Sequence, residues 1–261
     1  MNQIEFYKYQ GCGNDFILLD NRLNNIFLSS SQIALLCHRR FGIGADGLMT
    51  IQLGEGVDFV MSYYNSDGNP SSFCGNGGRC IVQFAYDLQI FKGKQTKFLF
   101  GSDIYHAELK SENDISLHMK DVRIAQIKNN PKYTELHTGS PHYIEFSSQI
   151  DQIDFLPFAK KIRYSETYPE GINVNLVEVM ASNKLYMRTY ERGVEDETYS
   201  CGTGVTAAAI AYSYQSNQVG TIFVTTKGGD FEVQLERIHD VYANIRLIAS
   251  AQFVFQGSIA I

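Results

Sequence analysis

Apolar and polar positions alternate in short runs along most of this chain. That rhythm predicts strands over residues 4–9, 16–20, 48–51 and 57–63. Further strand patterns cover 98–100, 104–109 and 115–119, then 172–179, 185–190, 222–225, 231–235 and 241–248. Three stretches favour helix instead. Ser29-Ser30-Ser31 offers N-caps to a helix over 32–39. The other two, 79–86 and 206–212, are largely apolar, and each follows a cysteine and a Gly-x-Gly turn. Turn-rich segments lie at 11–15, 41–47, 65–70 and 181–183, with a polar stretch at 191–197. Cysteine turn, apolar helix and strand-rich tail occur twice at a domain-scale interval, which reads as an internal duplication. The expected architecture is an α/β (α+β) protein of two pseudo-symmetric lobes. Each would wrap mixed strands around a central helix, with the active site in the cleft between them.

Composition narrows the function classes. The chain has 261 residues, 44% hydrophobic and 19% charged, ordinary values for a globular protein with a real core. Its net charge of −6, with no run of Lys or Arg, argues against a nucleic acid or an anionic membrane as partner. Met1 to Phe6 carries no basic-then-apolar leader, and no apolar stretch approaches the roughly 18 residues of a spanning helix, so a cytoplasmic location is expected. Five cysteines without an export signal do not suggest a disulfide framework. Cys74 and Cys80 lack Cys-x-x-Cys spacing and the histidines show no ligand pairing, so no metal is expected. The glycine-rich segment 42–47 lacks the Gly-Lys-Ser/Thr of a phosphate loop and opens no helix.

The chemistry concentrates at Cys74-Gly75-Asn76-Gly77 and Cys201-Gly202-Thr203-Gly204. A thiol at a helix mouth meets unpaired N–H groups and the positive dipole end, which lower its pKa from about 8.5. Glycines there let backbone N–H groups approach a carboxylate. Removing an α-hydrogen and returning it on the other face needs one basic and one acidic group, each about 3–3.5 Å from the carbon, so the sulfurs would sit roughly 6–7 Å apart. No lysine stands in a recognisable pyridoxal phosphate setting, and a cofactor-free reaction is expected. Either cysteine alone could be a small buried hydrophobe; the matched pair favours function. His142 follows Gly139-Ser140-Pro141 in an expected turn, where a structural role is the commoner one. Glu191-Arg192 reads as a surface ion pair or as an arginine fork for a second carboxylate. Asn14, Asn65 and Asn173 fall at turns or strand edges, where local capping is common.

Taken together the motifs resemble the diaminopimelate epimerases. The carriers are Asn65-x-Asp67-Gly68 with Cys74 to Cys80, and Tyr190 to Val194 with Glu197-Thr198 and Cys201 to Gly204. Gly11 to Phe16, Gly42 to Gly47 and Pro169 to Asn175 match as well, so the likeness spans nearly the whole chain. The resemblance implies a cofactor-independent isomerase that interconverts LL- and meso-diaminopimelate in lysine biosynthesis. It implies proton transfer by Cys74 and Cys201, with His142 and Glu191 tuning the thiols. Gly75-Asn76 and Gly202-Thr203 would cradle the reacting carboxylate, and Asn14, Asn65, Asn173, Glu191 and Arg192 would contact substrate. It further implies a homodimer, lobes of residues 1–119 and 120–249, and a last strand within 250–261 returning to the first lobe. Ser140 stands where many members carry asparagine, and Gly47 where some carry glutamine; neither enters the expected site. Proline and hydroxyproline racemases share the paired-thiol logic, but their typical Cys-Gly-His-Gly and Pro-Cys motifs disagree with Asn76 and Ser200. A non-catalytic amino-acid-binding protein would need the cradle without both sulfurs.

Overall fold

The computed structural model describes residues 3–261. The chain forms two compact units, one from the segment ending at Leu117 together with Ala249–Ile261, the other from His118–Ile248. In the first unit β1 (Gln3–Gly11) and β2 (Asn14–Asp20) make an antiparallel hairpin. Cys12 and Gly13 close it at φ 53° and 83°, a left-handed pair that tightens the turn. Helix α1 (Ser30–Cys37) crosses to β3 (Gly47–Gln52), which runs parallel to β2, and β4 (Phe59–Asn65) returns antiparallel. Helix α2 (Gly75–Asp87) then carries the chain to β5 (Gln95–Phe100), parallel to β4, and β6 (Asp103–Leu109) and β7 (Asp114–His118) follow antiparallel.

After two short strands, β8 (Val122–Arg123) and β9 (Lys128–Asn129), the second unit repeats this order. Its hairpin is β10 (Thr134–His137) with β11 (Pro141–Phe146). Helix α3 (Phe155–Arg163) crosses to β12 (Asn173–Ala181), parallel to β11, and β13 (Lys184–Glu191) is antiparallel to it. Past the short β14 (Asp196–Thr198), helix α4 (Gly202–Ser216) leads to β15 (Gly220–Thr226), parallel to β13. Strands β16 (Gly229–Ile238) and β17 (Val241–Ser250) follow antiparallel. The two units therefore share one topology. The repeat extends further than the cysteine turns alone predict, because the opening hairpin and the first crossover helix are repeated too. Strand β18 (Gln252–Ala260) pairs with β1 from Gln3↔Ala260 to Gln10↔Gln252, with a bulge between Lys8 and Tyr9.

Each unit buries its cysteine-capped helix on all sides. Residues 75–85 of α2 and 202–213 of α4 are buried; α4 carries no polar stripe, whereas α2 aligns Asn76, Arg79, Gln83 and Asp87 along one face. The crossover helices lie on the opposite face of their strands. Ile17 and Leu19 pack with Ile33 and Leu36 of α1, while their buried neighbours Phe16 and Leu18 point to the other side. In the second unit Phe155 and Ala159 of α3 pack on Val174, Leu176 and Tyr190. Among the described residues no helix is long and apolar enough to cross a membrane.

Candidate active site

Cys74 and Cys201 are the N-caps of α2 and α4, both in extended backbone (φ −111°, ψ 121°; φ −127°, ψ 108°). The Cys74 Sγ accepts the Gly77 N–H at 3.5 Å, and the carbonyls of Cys74 and Cys201 each open their helix by accepting from Gly78 and Val205 at 2.8 Å. Sequence spacing places both thiols at helix mouths, and the structure makes each the capping residue itself. Two buried thiols elsewhere in the first unit are raised: burial pushes Cys37 up to about 12 and Cys80 higher still, so both stay protonated.

In the first unit Asn14, Cys74 and Asn76 meet. Asn14 Oδ1 accepts from the Cys74 thiol at 3.6 Å and from Asn76 Nδ2 at 3.5 Å, while its own amide donates to Asp46 Oδ2 at 2.6 Å. Arg39 grips Asp46 and Asp15 at 2.7 Å each. Asn76 Oδ1 in turn accepts from the fully buried Arg79 at 3.0 Å. Asn65 ends β4, paired with Gly47 and exposed. At Gly47 a Cβ would meet the Tyr63 ring at 2.6 Å, so the longer side chain of some family members has no room here.

The second unit holds His142, Thr203 and Cys201 in one chain of contacts. His142 Nε2 lies 2.9 Å from Thr203 Oγ1, which lies 3.4 Å from Cys201 Sγ. His142 Nδ1 lies 3.2 Å from Asn175 Nδ2, and Asn175 also donates to the Tyr143 carbonyl at 2.9 Å and accepts from Thr189 at 3.1 Å. His142 is not in a turn, as its neighbours Gly139-Ser140-Pro141 suggest. It is the second residue of β11, fully buried and in register with Asn173. Proline is tolerated at the first position of a strand, so Pro141 starts β11 rather than ending the turn. Gly204 makes the approach possible: a Cβ there would fall 2.7 Å from Asn175 Oδ1 and 3.3 Å from His142 Cε1.

Burial, with the nearby charges of His137 and Arg192, pushes His142 down to about 3 from its ordinary 6.5. Above pH 6.5 the imidazole is neutral folded and unfolded. As pH falls, the unfolded chain takes up a proton that the folded one refuses, so stability drops by up to about 1.4 kcal/mol per pH unit until pH nears 3. Urea midpoints at pH 7 and pH 5 are expected to fall further apart in the wild type than in His142→Gln. Equal losses would exclude this origin.

Asn173 donates to Ser140 Oγ at 2.7 Å and to the Pro141 carbonyl at 2.9 Å, and accepts the Arg192 N–H at 2.9 Å. Its amide hydrogens are thus engaged within the protein, leaving one lone pair for a ligand. Glu191 and Arg192 diverge. Glu191 accepts the Thr198 hydroxyl at 2.6 Å, whereas the Arg192 guanidinium donates to the Glu170 carbonyl at 3.4 Å. The polar stretch behind them is pinned by Arg163 to Glu195 at 2.6 Å and by Arg188 to Glu197 at 2.7 Å. Asp46, Asn175 and Thr189 carry no role in the sequence reading. Asn175 leaves one signal, as the second of two asparagines two apart, and so on one face of a strand whose other polar residue is Glu178.

The chain matches the sequence profile of the diaminopimelate epimerases over residues 6–124 and 135–245. It is 46% identical over 260 residues to the diaminopimelate epimerase of Flavobacterium psychrophilum, covering 98% of this chain and 100% of that one. It is 40% identical over 256 residues to that of Chlorobaculum tepidum, covering 96% and 99%. Among solved structures it resembles a PhzF-family phenazine biosynthesis protein of Bacillus anthracis, at a TM-score of 0.75 and 12% identity with both chains covered in full. A probable proline racemase from Agrobacterium radiobacter matches at 0.69 and 12%, covering 98% of this chain and 93% of its own. At such identity the likeness is one of fold. The sequence matches are of another order, and by them this chain belongs to the diaminopimelate epimerase family.

Proposed function

We propose that this enzyme interconverts LL- and meso-diaminopimelate in lysine biosynthesis, using Cys74 and Cys201 as the two proton-transfer groups. The observation that carries the reading is the placing of both thiols as caps of buried helices in two units of one topology, within a chain of this family. A thiolate removes the α-hydrogen; the C–H electron pair stays on carbon and spreads into the carboxylate, and the other thiol gives its proton to the opposite face. The N–H groups at Gly75-Asn76 and Gly202-Thr203 would stabilise that charge, as helix N-termini do for anions. No cofactor has a part in the reading. It also includes a homodimer in the cytoplasm, and sedimentation of the purified protein checks the assembly.

Arg192 is the natural fork for the distal carboxylate, since no carboxylate of its own unit occupies it. Arg192→Met is expected to raise KM for diaminopimelate by about tenfold or more, with a smaller change in kcat, from the loss of a charge-assisted pair worth about 1.5–3 kcal/mol. An unchanged KM would remove Arg192 from the site. The reading as a whole is tested by incubating the protein in D₂O with LL- and meso-diaminopimelate, L-proline and trans-hydroxyproline. Deuterium is expected at the α-carbon of the diaminopimelates alone. Exchange confined to the prolines, or none at all, would overturn it.

A further inference from the structure

We infer that Arg79 and Thr206 are matched positioning residues: each donates into the carbonyl of the glycine that opens its helix, and so strengthens the N–H on that same peptide group toward the reacting carboxylate. The inference rests on the proposed reaction and deepens it, by adding to the carboxylate cradle two side chains that do not touch the ligand.

Each is the fifth residue after its cysteine, and each is fully buried. Arg79 Nη1 donates to the Gly75 carbonyl at 3.3 Å, and Thr206 Oγ1 to the Gly202 carbonyl at 2.9 Å. The Gly75 carbonyl and the Asn76 N–H belong to one peptide group, as do the Gly202 carbonyl and the Thr203 N–H. A donor on the carbonyl draws electron density toward oxygen, which makes the N–H across the bond a stronger donor in its turn. A threonine hydroxyl turned back on the carbonyl four residues earlier is a common habit of helices. Here the same carbonyl is met in both units by unlike side chains, one cationic and one neutral. It also belongs to the one peptide in each helix that joins the two cradle residues.

Arg79 does more than its counterpart. Its Nη2 donates to Asn76 Oδ1 at 3.0 Å and approaches Cys12 Sγ at 3.6 Å, while Nε reaches the Ser250 carbonyl at 3.4 Å. It thereby ties the opening of α2 to the β1–β2 turn and brings a full positive charge behind the first helix mouth. Loss of the α-hydrogen adds negative charge to the substrate carboxylate. Both devices therefore gain strength as the reaction proceeds, and the cationic one gains more.

Thr206→Val is the decisive variant, because the Gly202 carbonyl keeps its helical N–H partner and no buried polar group is stranded. Its denaturant midpoint is expected to stay near the wild-type value, while kcat for diaminopimelate falls about three- to tenfold with KM nearly unchanged. The α-deuterium isotope effect on kcat is expected to rise, since proton removal alone is slowed. In NMR spectra without substrate, the Thr203 amide hydrogen is expected to move upfield. Thr206→Ser keeps the hydroxyl and is expected to restore all three readouts. Arg79→Met is expected to cost about 10²-fold in kcat and to move the Asn76 amide upfield, with Arg79→Lys between it and the wild type. Arg79 holds four acceptors, so its loss bears on folding as well, and the Thr206 pair decides the case. An unmoved Thr203 amide in Thr206→Val, or a loss confined to KM or to stability, would overturn the inference. The amide shifts need no turnover. Shifted amides in a protein inert toward diaminopimelate would refute the proposed substrate while supporting the polarised peptides; unshifted amides in an active enzyme would refute the polarised peptides alone.

Discussion

Epimerisation of diaminopimelate is expected to fall by about 10²–10⁴-fold in Cys74→Ala and in Cys201→Ala alike, the range that a positioned proton-transfer group contributes. Each thiol serves one face of the α-carbon, so neither can stand in for the other. What separates the variants is the hydrogen that still exchanges. With one sulfur left, a proton can be taken and returned on the same face, so deuterium can enter the α-position without inversion. Chiral chromatography for inversion, beside NMR for deuterium, reads the two events separately. Folding is expected to survive. Cys74→Ala removes the 3.5 Å contact from the Gly77 N–H and the 3.6 Å contact to Asn14 Oδ1, and removal of a capping acceptor costs about 0.5–2 kcal/mol. Either alanine variant retaining near wild-type inversion would rule out the paired-thiol mechanism.

Gly204→Ala is expected to be nearly as damaging, although it removes no functional group. In a helix interior alanine is favoured over glycine by about 0.5–1 kcal/mol. Here the added methyl would fall 2.7 Å from Asn175 Oδ1 and 3.4 Å from the Cys201 Cβ. Asn175 cannot yield, because its short side chain is tied to Tyr143, Thr189 and His142 at once. Overpacking of this kind costs about 1–3 kcal/mol, which outweighs the gain in propensity. The expected result is a net loss of stability on the order of 1–2 kcal/mol, with a larger loss of activity as His142 and Cys201 are pushed out of line. Gly77→Ala supplies the contrast. Its Cβ would come closer, 2.2 Å from Met49, but the obstacle is the end of a flexible side chain, so the effect is expected to be milder. Denaturant midpoints and kcat for both variants check the ranking; a more stable Gly204→Ala would contradict it.

Where the chain alternates cleanly, the pattern locates strands to within a few residues. The 231–235 pattern extends to Gly229–Ile238, and 185–190 to Lys184–Glu191. It says nothing useful between 120 and 171. There β10 is short, and α3 opens Phe155-Leu156-Pro157, a proline that reads as a breaker yet sits in the first turn, where its missing N–H costs nothing. The cysteine turns stand out because Cys-Gly-x-Gly before an apolar run is locally unusual. His142 does not, since its importance lies in a partner 61 positions away. Asn175 is harder still. Its role depends on strand register, which places it beside Ile144 on one side and Thr189 on the other, and register is not written in one segment alone.

Strand β18 is the partner of β1, although the whole second unit lies between them in the sequence. During vectorial synthesis on the ribosome the earlier half therefore cannot complete its sheet until Gln252–Ala260 have left the exit tunnel. Until then β1 offers an open edge to whatever strand is near, a neighbouring nascent chain included. A premature stop just ahead of Gln252 would damage the half of the molecule that was made first.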